Sequence, residues 1–134
     1  YPDTRFYYLS LIKDFNNINH DYTFSIHGLW PQNNLDSYPS YCKKVSFSVN
    51  NLNTILEDLH RYWYSNQQKD EMFWKHEYEK HGSCMFSDIS EFDYFNLSLK
   101  LYKEAIQLNL PDKYYNQETG SCLIPVSLDF KLKK

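Results

Sequence analysis

Side chains able to exchange protons are concentrated in two short stretches, FSIHGLWP (Phe24 to Pro31) and FWKHEYEKHGSC (Phe73 to Cys84). They carry His27, His76 and His81, three of the five histidines, together with Glu77, Lys80, Trp30 and Trp74. Imidazole changes charge near neutral pH, so two or three of them beside an ammonium and a carboxylate can serve as acid, base and charge stabiliser. The aromatic rings beside them suit a ligand that stacks, and the cations suit one with negative charge. RNA has both properties.

On a helix turning about 100° per residue, with His76 at 0°, Lys80 falls near 40°, Phe73 near 60°, Glu77 near 100° and His81 near 140°. One arc therefore shows two imidazoles, an ammonium, a carboxylate and a ring, with Cys84 on the same arc. A solvated charged face with Glu77 and His81 paired at i,i+4 is the plainer reading, and it leaves Phe73 and Cys84 unexplained. The string HEYEKH is superficially like the zinc-protease helix H-E-x-x-H. That motif needs histidines four apart; His76 and His81 are five apart, and Lys80 occupies the position a ligand would need. No metal and no cofactor are expected.

The elements that must position these groups read as follows. Arg5 to Ile12 is a nearly continuous apolar strand, expected at the centre of a sheet. Tyr22 to Leu29 alternates, with Tyr22, Phe24 and Ile26 facing one way and Thr23, Ser25 and His27 the other. Pro31 should end that strand. Residues 33–47, rich in Asn, Ser and Tyr, should be loop. Leu52, Ile55, Leu56, Leu59 and Trp63 have helical spacing, and a second helix is expected over Glu71 to Gly82. In a third, Ser90 is placed to cap and Phe92, Phe95, Leu99, Tyr102 and Ile106 form one stripe. In the last segment Ile124, Val126, Leu128, Phe130 and Leu132 alternate with polar residues, and Pro125 puts the start of that strand at an edge or bulge. Strands at both ends with helices between them make an α+β fold.

The chain has 134 residues, enough for one domain over 1–134 and not for two. Aromatics are 19% of it, so rings must do much of the core packing. The formal net charge is −3, which excludes a global basic field for nucleic acid. Protonating all five histidines would move it to +2, so a mildly acidic medium would favour both the imidazole chemistry and the approach of a polyanion. No apolar run approaches the ~20 residues of a membrane span. The absence of an initiator Met suggests a trimmed, mature chain. Cysteines at 42, 84 and 122 include no Cys-x-x-Cys pair, so one disulfide and one leftover thiol in an oxidising compartment is the simplest account. Asn96-Leu97-Ser98 matches the glycosylation pattern but lies in an expected helix.

The two stretches resemble the active-site segments of the ribonuclease T2 family, secreted or endolysosomal endoribonucleases that include the plant S-ribonucleases. The resemblance runs from Tyr22 to about Ile106. It implies an antiparallel sheet packed with several helices, shortened here in its C-terminal part. It makes His27 the first-segment histidine and gives His76, Glu77, Lys80 and His81 as the second-segment cluster. It places Trp30 and Tyr38 around the base 5′ of the cut and Phe73 under the base that follows. Gln32 stands where the family often has a base-contacting acid, so base preference is left open. The family's N-terminal cysteine pair is missing. The expected pairing is Cys42–Cys84, which would clamp the two segments together, with Cys122 free.

The activity so implied is metal-independent cleavage of single-stranded RNA by its own 2′-OH, with His81 as base and His27 as acid. The products would be a 2′,3′-cyclic phosphate and then a 3′-phosphate. DNA, which has no 2′-OH, would be spared, no membrane is involved, and a monomer is expected. Two other classes remain: an inactive relative that binds RNA or protein, and an aromatic-rich carbohydrate-binding module.

Overall fold

The computed structural model describes residues 1–15 and 24–134. Tyr22 and Thr23, expected at the start of the second strand, lie outside the described residues. Four antiparallel strands form one sheet in the order β2-β1-β4-β3. They are β1 (Phe6–Lys13), β2 (Phe24–Gln32), β3 (Tyr115–Asn116) and β4 (Ser121–Val126). Between β2 and β3 come a 3-10 turn (Val49–Ile55), α1 (Leu56–Tyr62), α2 (Asp70–Lys80), a 3-10 turn (Gly82–Cys84), α3 (Glu91–Gln107) and α4 (Leu110–Tyr114). The α+β class read from the sequence is the one observed, and β1 is central, paired with β2 on one side and β4 on the other.

Burial explains the centre. Tyr7, Leu9 and Leu11 of β1 point into the core with Ile26 and Leu29 of β2 and Ile124 and Val126 of β4. Against them lies α3, whose Ser90 accepts from Asp93 N at 3.0 Å and so caps its first turn. The buried side of α3 holds Phe95, Leu99 and Tyr102, with Tyr94, Leu101 and Ala105 widening the expected stripe, while Phe92 and Ile106 fall at its margins. Each such apolar side chain contributes about 1.5–3 kcal/mol through burial. Asn96 lies on α3 half-buried, and Ser98 of its glycosylation pattern is buried with its hydroxyl donating to Tyr94 O.

The register of β2 contains the feature that matters for the site. Ser10 pairs with Gly28 and Leu11 with Ile26, so His27 is an extra residue, a β-bulge. The bulge resets the two-residue alternation. Ile26 and Leu29 both face the core, and His27 and Trp30, which simple alternation would put on opposite faces, come together with ring centroids 4.8 Å apart. Side chains of the core hold this backbone: Tyr102 OH donates to Phe24 O (2.6 Å), Trp63 Nε1 to His27 O (3.1 Å) and Tyr94 OH to Leu29 O (2.8 Å).

Four expected boundaries are corrected. Pro31 does not end β2, which runs to Gln32; β2 is an edge strand among the described residues, and a proline without an N–H costs little there. Leu52 to Trp63 is not one helix: its first half belongs to a 3-10 segment, Val49–Ile55, rich in Asn and Thr, residue types of low helix propensity, and only Leu56–Tyr62 is α-helical. The second helix stops at Lys80, and the chain tightens into a 3-10 turn before Cys84 rather than running to Gly82. The final strand ends at Val126. Ser127 accepts from Lys131 N and its hydroxyl meets Asp129, making a turn with Phe130 at φ 63°, and Leu132 returns to bridge Val126. The apolar alternation still reads burial correctly there, because the turn returns Leu132 to the core. Pro125 sits where its backbone faces away from β1, toward Lys133, whose N–H donates to Pro125 O at 2.9 Å.

Cys42 and Cys84 form a disulfide with Cα atoms 5.2 Å apart, and Cys122 is buried and free. The bond ties the loop after β2 to the end of α2, beside two further links: Tyr41 N to Lys80 O (2.9 Å) and Cys42 N to Ser83 Oγ (3.0 Å). It closes a loop with a sequence separation of 42, for which chain entropy gives about 4 kcal/mol. Replacing both cysteines by serine should lower the unfolding free energy by about that amount in urea titrations; a loss below 1 kcal/mol would show that the hydrogen bonds alone hold the junction.

Candidate active site

The bulge on β2 and the end of α2 deliver their side chains to one place. Glu77 stands at its centre, 2% exposed. Its Oε2 lies 3.7 Å from His27 Nε2 and its Oε1 4.0 Å from His81 Nε2, and Trp30 Nε1 donates to Oε1 at 2.8 Å. The Trp30 ring stacks on His81 at 5.0 Å and 22°. Tyr38 packs at 5.8 Å from His81 and carries the Lys80 ammonium 5.6 Å from its ring centre. Gly28 is required here: a Cβ would overlap Glu77 Oε1 and Trp30 Nε1. His81 lies one residue past α2 but keeps a helical backbone, its N–H donating to Glu77 O. The i,i+4 relation of Glu77 and His81 is therefore real, but both side chains are buried and form no solvated face.

Two clefts meet at this cluster. One, of about 380 Å³, is lined by Trp30, Gln32, Tyr38, His76, Lys80 and His81 among others. The second, of about 260 Å³, runs past Phe73 to Ser25, Tyr64, Gln67 and Gln68. His27 lines both, its ring 5.6 Å from that of Phe73. All nine residues singled out from the sequence, His27, His76, Glu77, Lys80, His81, Trp30, Gln32, Tyr38 and Phe73, thus belong to one continuous site. His76 is exposed at its rim. Sequence reasoning missed Gly28, Tyr8, Asp14, Ser25, Leu35, Asp36, Tyr64, Gln67, Gln68 and Leu123. Gly28, between a strand histidine and a tryptophan, gave a readable signal; the others reach the clefts through sheet pairing and loops.

Burial dominates the electrostatics. It pushes His81 down to about 3, helped by Lys80, His27 and His76, and His27 down to about 4, helped by His76 and Lys80. His81 Nδ1 is buried with no hydrogen-bond partner among the described residues, which further disfavours the doubly protonated ring. Burial raises Glu77 to about 7 against the opposing pull of the Trp30 hydrogen bond and Lys80. The three groups share a small pool of protons that can shift among them as ligand charge arrives.

The antiparallel sheet with intervening helices matches solved ribonuclease structures. RNase NT in complex with 5′-AMP superposes with a TM-score of 0.74, covering 97% of this chain and 89% of that chain at 19% identity. Ribonuclease MC1 from bitter gourd seeds gives 0.71, with 93% and 90% coverage at 19% identity. At that identity the likeness defines the fold. Residues 7–114 match the sequence model of the Ribonuclease T2 family, and the chain belongs to that family. Ribonuclease DdI of Dictyostelium discoideum is 44% identical over 85 residues, and ribonuclease 3 of Arabidopsis thaliana 36% identical over 107 residues. These stretches cover 60% and 71% of this chain but 37% and 48% of those proteins, so the chain spans roughly a third to a half of their length. A ribonuclease-like storage protein of Panax ginseng is 37% identical over 83 residues, 60% of this chain and 35% of that protein.

Glu77 binds its proton more tightly in the folded protein than in the unfolded chain. Its contribution to stability is therefore full below about pH 4.5 and is lost as the pH rises through about 7. His27 and His81 act in the opposite sense, losing stability as the pH falls below 6.5 toward 4 and 3. Glu77→Gln should consequently stabilise the protein at pH 8–9 by about 1–3 kcal/mol and leave it nearly unchanged at pH 4. Thermal unfolding at the two pH values checks this; a variant less stable at pH 9 would show that the ionised carboxylate is held favourably.

Proposed function

We propose that the protein is a metal-independent endoribonuclease that cleaves single-stranded RNA by transesterification, and the observation that carries the reading is His27 and His81 facing one buried carboxylate where two clefts meet. RNA supplies its own nucleophile, the 2′-OH beside the scissile phosphate. A phosphate seated between His27 and His81 would have a nucleotide running into each cleft, one beside Trp30 and Tyr38 and the next beside Phe73. Base stacking on such rings contributes roughly 1–3 kcal/mol per base.

The burial of the two rings fits these roles. Burial keeps both rings neutral before substrate binds, so His81 can accept the 2′-OH proton, and His27, the more exposed ring, takes up as the phosphate arrives the proton delivered to the departing 5′-oxygen, the roles the family resemblance implies. The 2′-oxygen forms a bond to phosphorus as the P–O5′ bond breaks, leaving a 2′,3′-cyclic phosphate. Water then opens the ring with the two histidines exchanging roles, giving a 3′-phosphate. Lys80 and His76 at the cleft meet the phosphoryl oxygens as charge builds. Glu77 touches both imidazoles and positions them. The Cys42–Cys84 bond and the family resemblance support an oxidising compartment, secreted or endolysosomal, as its location.

An inactive binding relative is the second reading, favoured by the likeness to the Panax ginseng storage protein. The occupied acid and base positions weigh against it. A carbohydrate-binding module is disfavoured because two of the three tryptophans, Trp63 and Trp74, are buried in the core together with Tyr94 and Phe95.

His27→Ala and His81→Ala should each lower turnover at least ~10²-fold, with smaller losses for His76→Ala and Lys80→Ala and weakened RNA binding for Trp30→Ala. A substrate with 2′-deoxy at the cut should bind and stay intact, and EDTA should leave activity unchanged; near wild-type turnover in both histidine variants would remove the acid–base pair. The pH profile adds an independent check. kcat/KM should fall as the pH rises through about 4, where His27 loses its proton, and fall again below about 3, where His81 gains one. The phosphodiester's negative charge raises both rings, so the kcat profile should lie at higher pH than that of kcat/KM. An alkaline optimum in both would contradict the assignment.

A further inference from the structure

The cleft beside Trp30 contains two polar side chains for which the chemistry above has no use, Gln32 and Asp36. Gln32 is 5% exposed, and its surroundings fix which way its amide points. Nε2 donates to Asn34 O at 3.1 Å and to Ser37 O at 3.4 Å. Backbone carbonyls only accept, so the amide nitrogen must occupy that end, and both of its hydrogens are committed. What Gln32 offers the cleft is therefore Oε1, an acceptor. Asp36 is anchored through its backbone N–H, which donates to Asn34 Oδ1 at 2.8 Å, and this exposed residue lines the same cleft, within which its carboxylate is free to turn. The hydroxyls of Tyr8 and Tyr38 can donate or accept and do not discriminate.

We infer that this cleft selects guanine as the base on the 5′ side of the cut, with Gln32 Oε1 and the Asp36 carboxylate as the specificity-determining acceptors. The inference rests on the RNA-cleaving reading for its substrate class. Guanine has two adjacent donors on one edge, N1–H and the 2-amino group. Adenine and cytosine present an amine beside a bare ring nitrogen, and uracil a single N–H between two carbonyls. An acceptor on the base that faces an acceptor on the protein loses its water and gains no partner, which is the costly half of hydrogen-bond selection. Inosine separates the two donors, since it keeps N1–H and lacks the 2-amino group.

Affinities of 3′-GMP, 3′-IMP, 3′-AMP, 3′-CMP and 3′-UMP, measured by calorimetry at pH 6, test this without relying on turnover; cleavage of GpU, ApU, CpU and UpU tests it in the reaction. 3′-GMP should bind at least about tenfold more tightly than 3′-UMP and about fivefold more tightly than 3′-IMP, and GpU should have the highest kcat/KM. Asp36→Ala, at an exposed position held by its backbone, removes the acceptor and should keep the fold and bring the GMP-to-IMP ratio toward one. Gln32→Met removes the other acceptor but also its bonds to the 34–37 turn, so the Asp36 variant carries the test. Equal binding of GMP and IMP, or tighter binding of UMP, would overturn the inference. Cleavage of all four dinucleotides at one rate would overturn it while leaving the ribonuclease reading intact. Binding in the expected order without any cleavage would support the base selection and remove the ribonuclease reading.

Discussion

The indole N–H of Trp63 donates to the carbonyl of His27, the residue that β2 carries in excess over its partner strand. A bulge leaves backbone groups unpaired and an extra side chain to place, and on an edge strand it would be free to slip. Here the slip is prevented from the core side. Tyr102 and Tyr94, both on α3, hold the carbonyls of Phe24 and Leu29 on either side, and all three donors are fully packed rings. Trp63 is in turn fixed by Trp74, whose Nε1 donates to Trp63 O at 2.6 Å. Because Trp74 lies on α2, the same bonds that fix the bulge also set the helix carrying Glu77. The position of His27 relative to Glu77 is therefore a property of the core, and the high aromatic content serves to position the site as well as to exclude water.

A second constraint is the burial of Glu77. A carboxylate at 2% exposure with one indole donor and two imidazoles near it is costly when ionised. The protein avoids that cost below about pH 7 by keeping the carboxyl protonated, with its proton held more tightly than either neighbouring imidazole holds one. Gly28 makes that arrangement sterically feasible, since any larger residue would displace Glu77 and the Trp30 ring together. In the proposed reaction the incoming phosphate supplies negative charge beside the two imidazoles, so substrate binding and histidine protonation favour each other. Stability at high pH is given up in exchange for a site that titrates.

Much of this was legible in the sequence because local pattern and tertiary environment agree there. The apolar run of β1, the capped stripe of α3 and the titratable arc of α2 are all period signals strong enough to survive packing. The structure does bring His27 beside Glu77 and Trp30, but the alternation that drew attention to it is an incomplete account of its position. Alternation puts it opposite Ile26 and would also put it opposite Trp30; the bulge that brings His27 and Trp30 together comes from pairing with β1, which one strand's sequence does not contain. The boundary errors share that origin. Pro31 reads as a stop unless the strand is known to be at an edge, and the Ser127–Lys131 turn is masked by an apolar alternation that continues through it. The cleft residues that were missed, such as Asp36 and Tyr64, sit on connections whose course is set by the disulfide and by side-chain bonds rather than by any repeat.

The disulfide then explains why so short a loop can serve the site. Residues 33–47 have no helix or strand, and exposed Leu35, Tyr38 and Tyr41 could not hold a wall by burial. Tyr41 has φ 50°, a left-handed conformation that a bulky residue adopts only under constraint. That constraint is visible on both sides: its own N–H is bound to Lys80 O, and the next residue is bonded covalently to Cys84. The loop is thus stapled to the turn of chain that carries Lys80 and His81, and Tyr38 is brought over His81 from the opposite wall. One end of the cleft is set by the aromatic core through His27, the other by a covalent bond through Cys84, and α2 with Glu77 joins them. Loosening either end would move one histidine relative to the other, and that distance is the one on which the proposed acid–base chemistry depends.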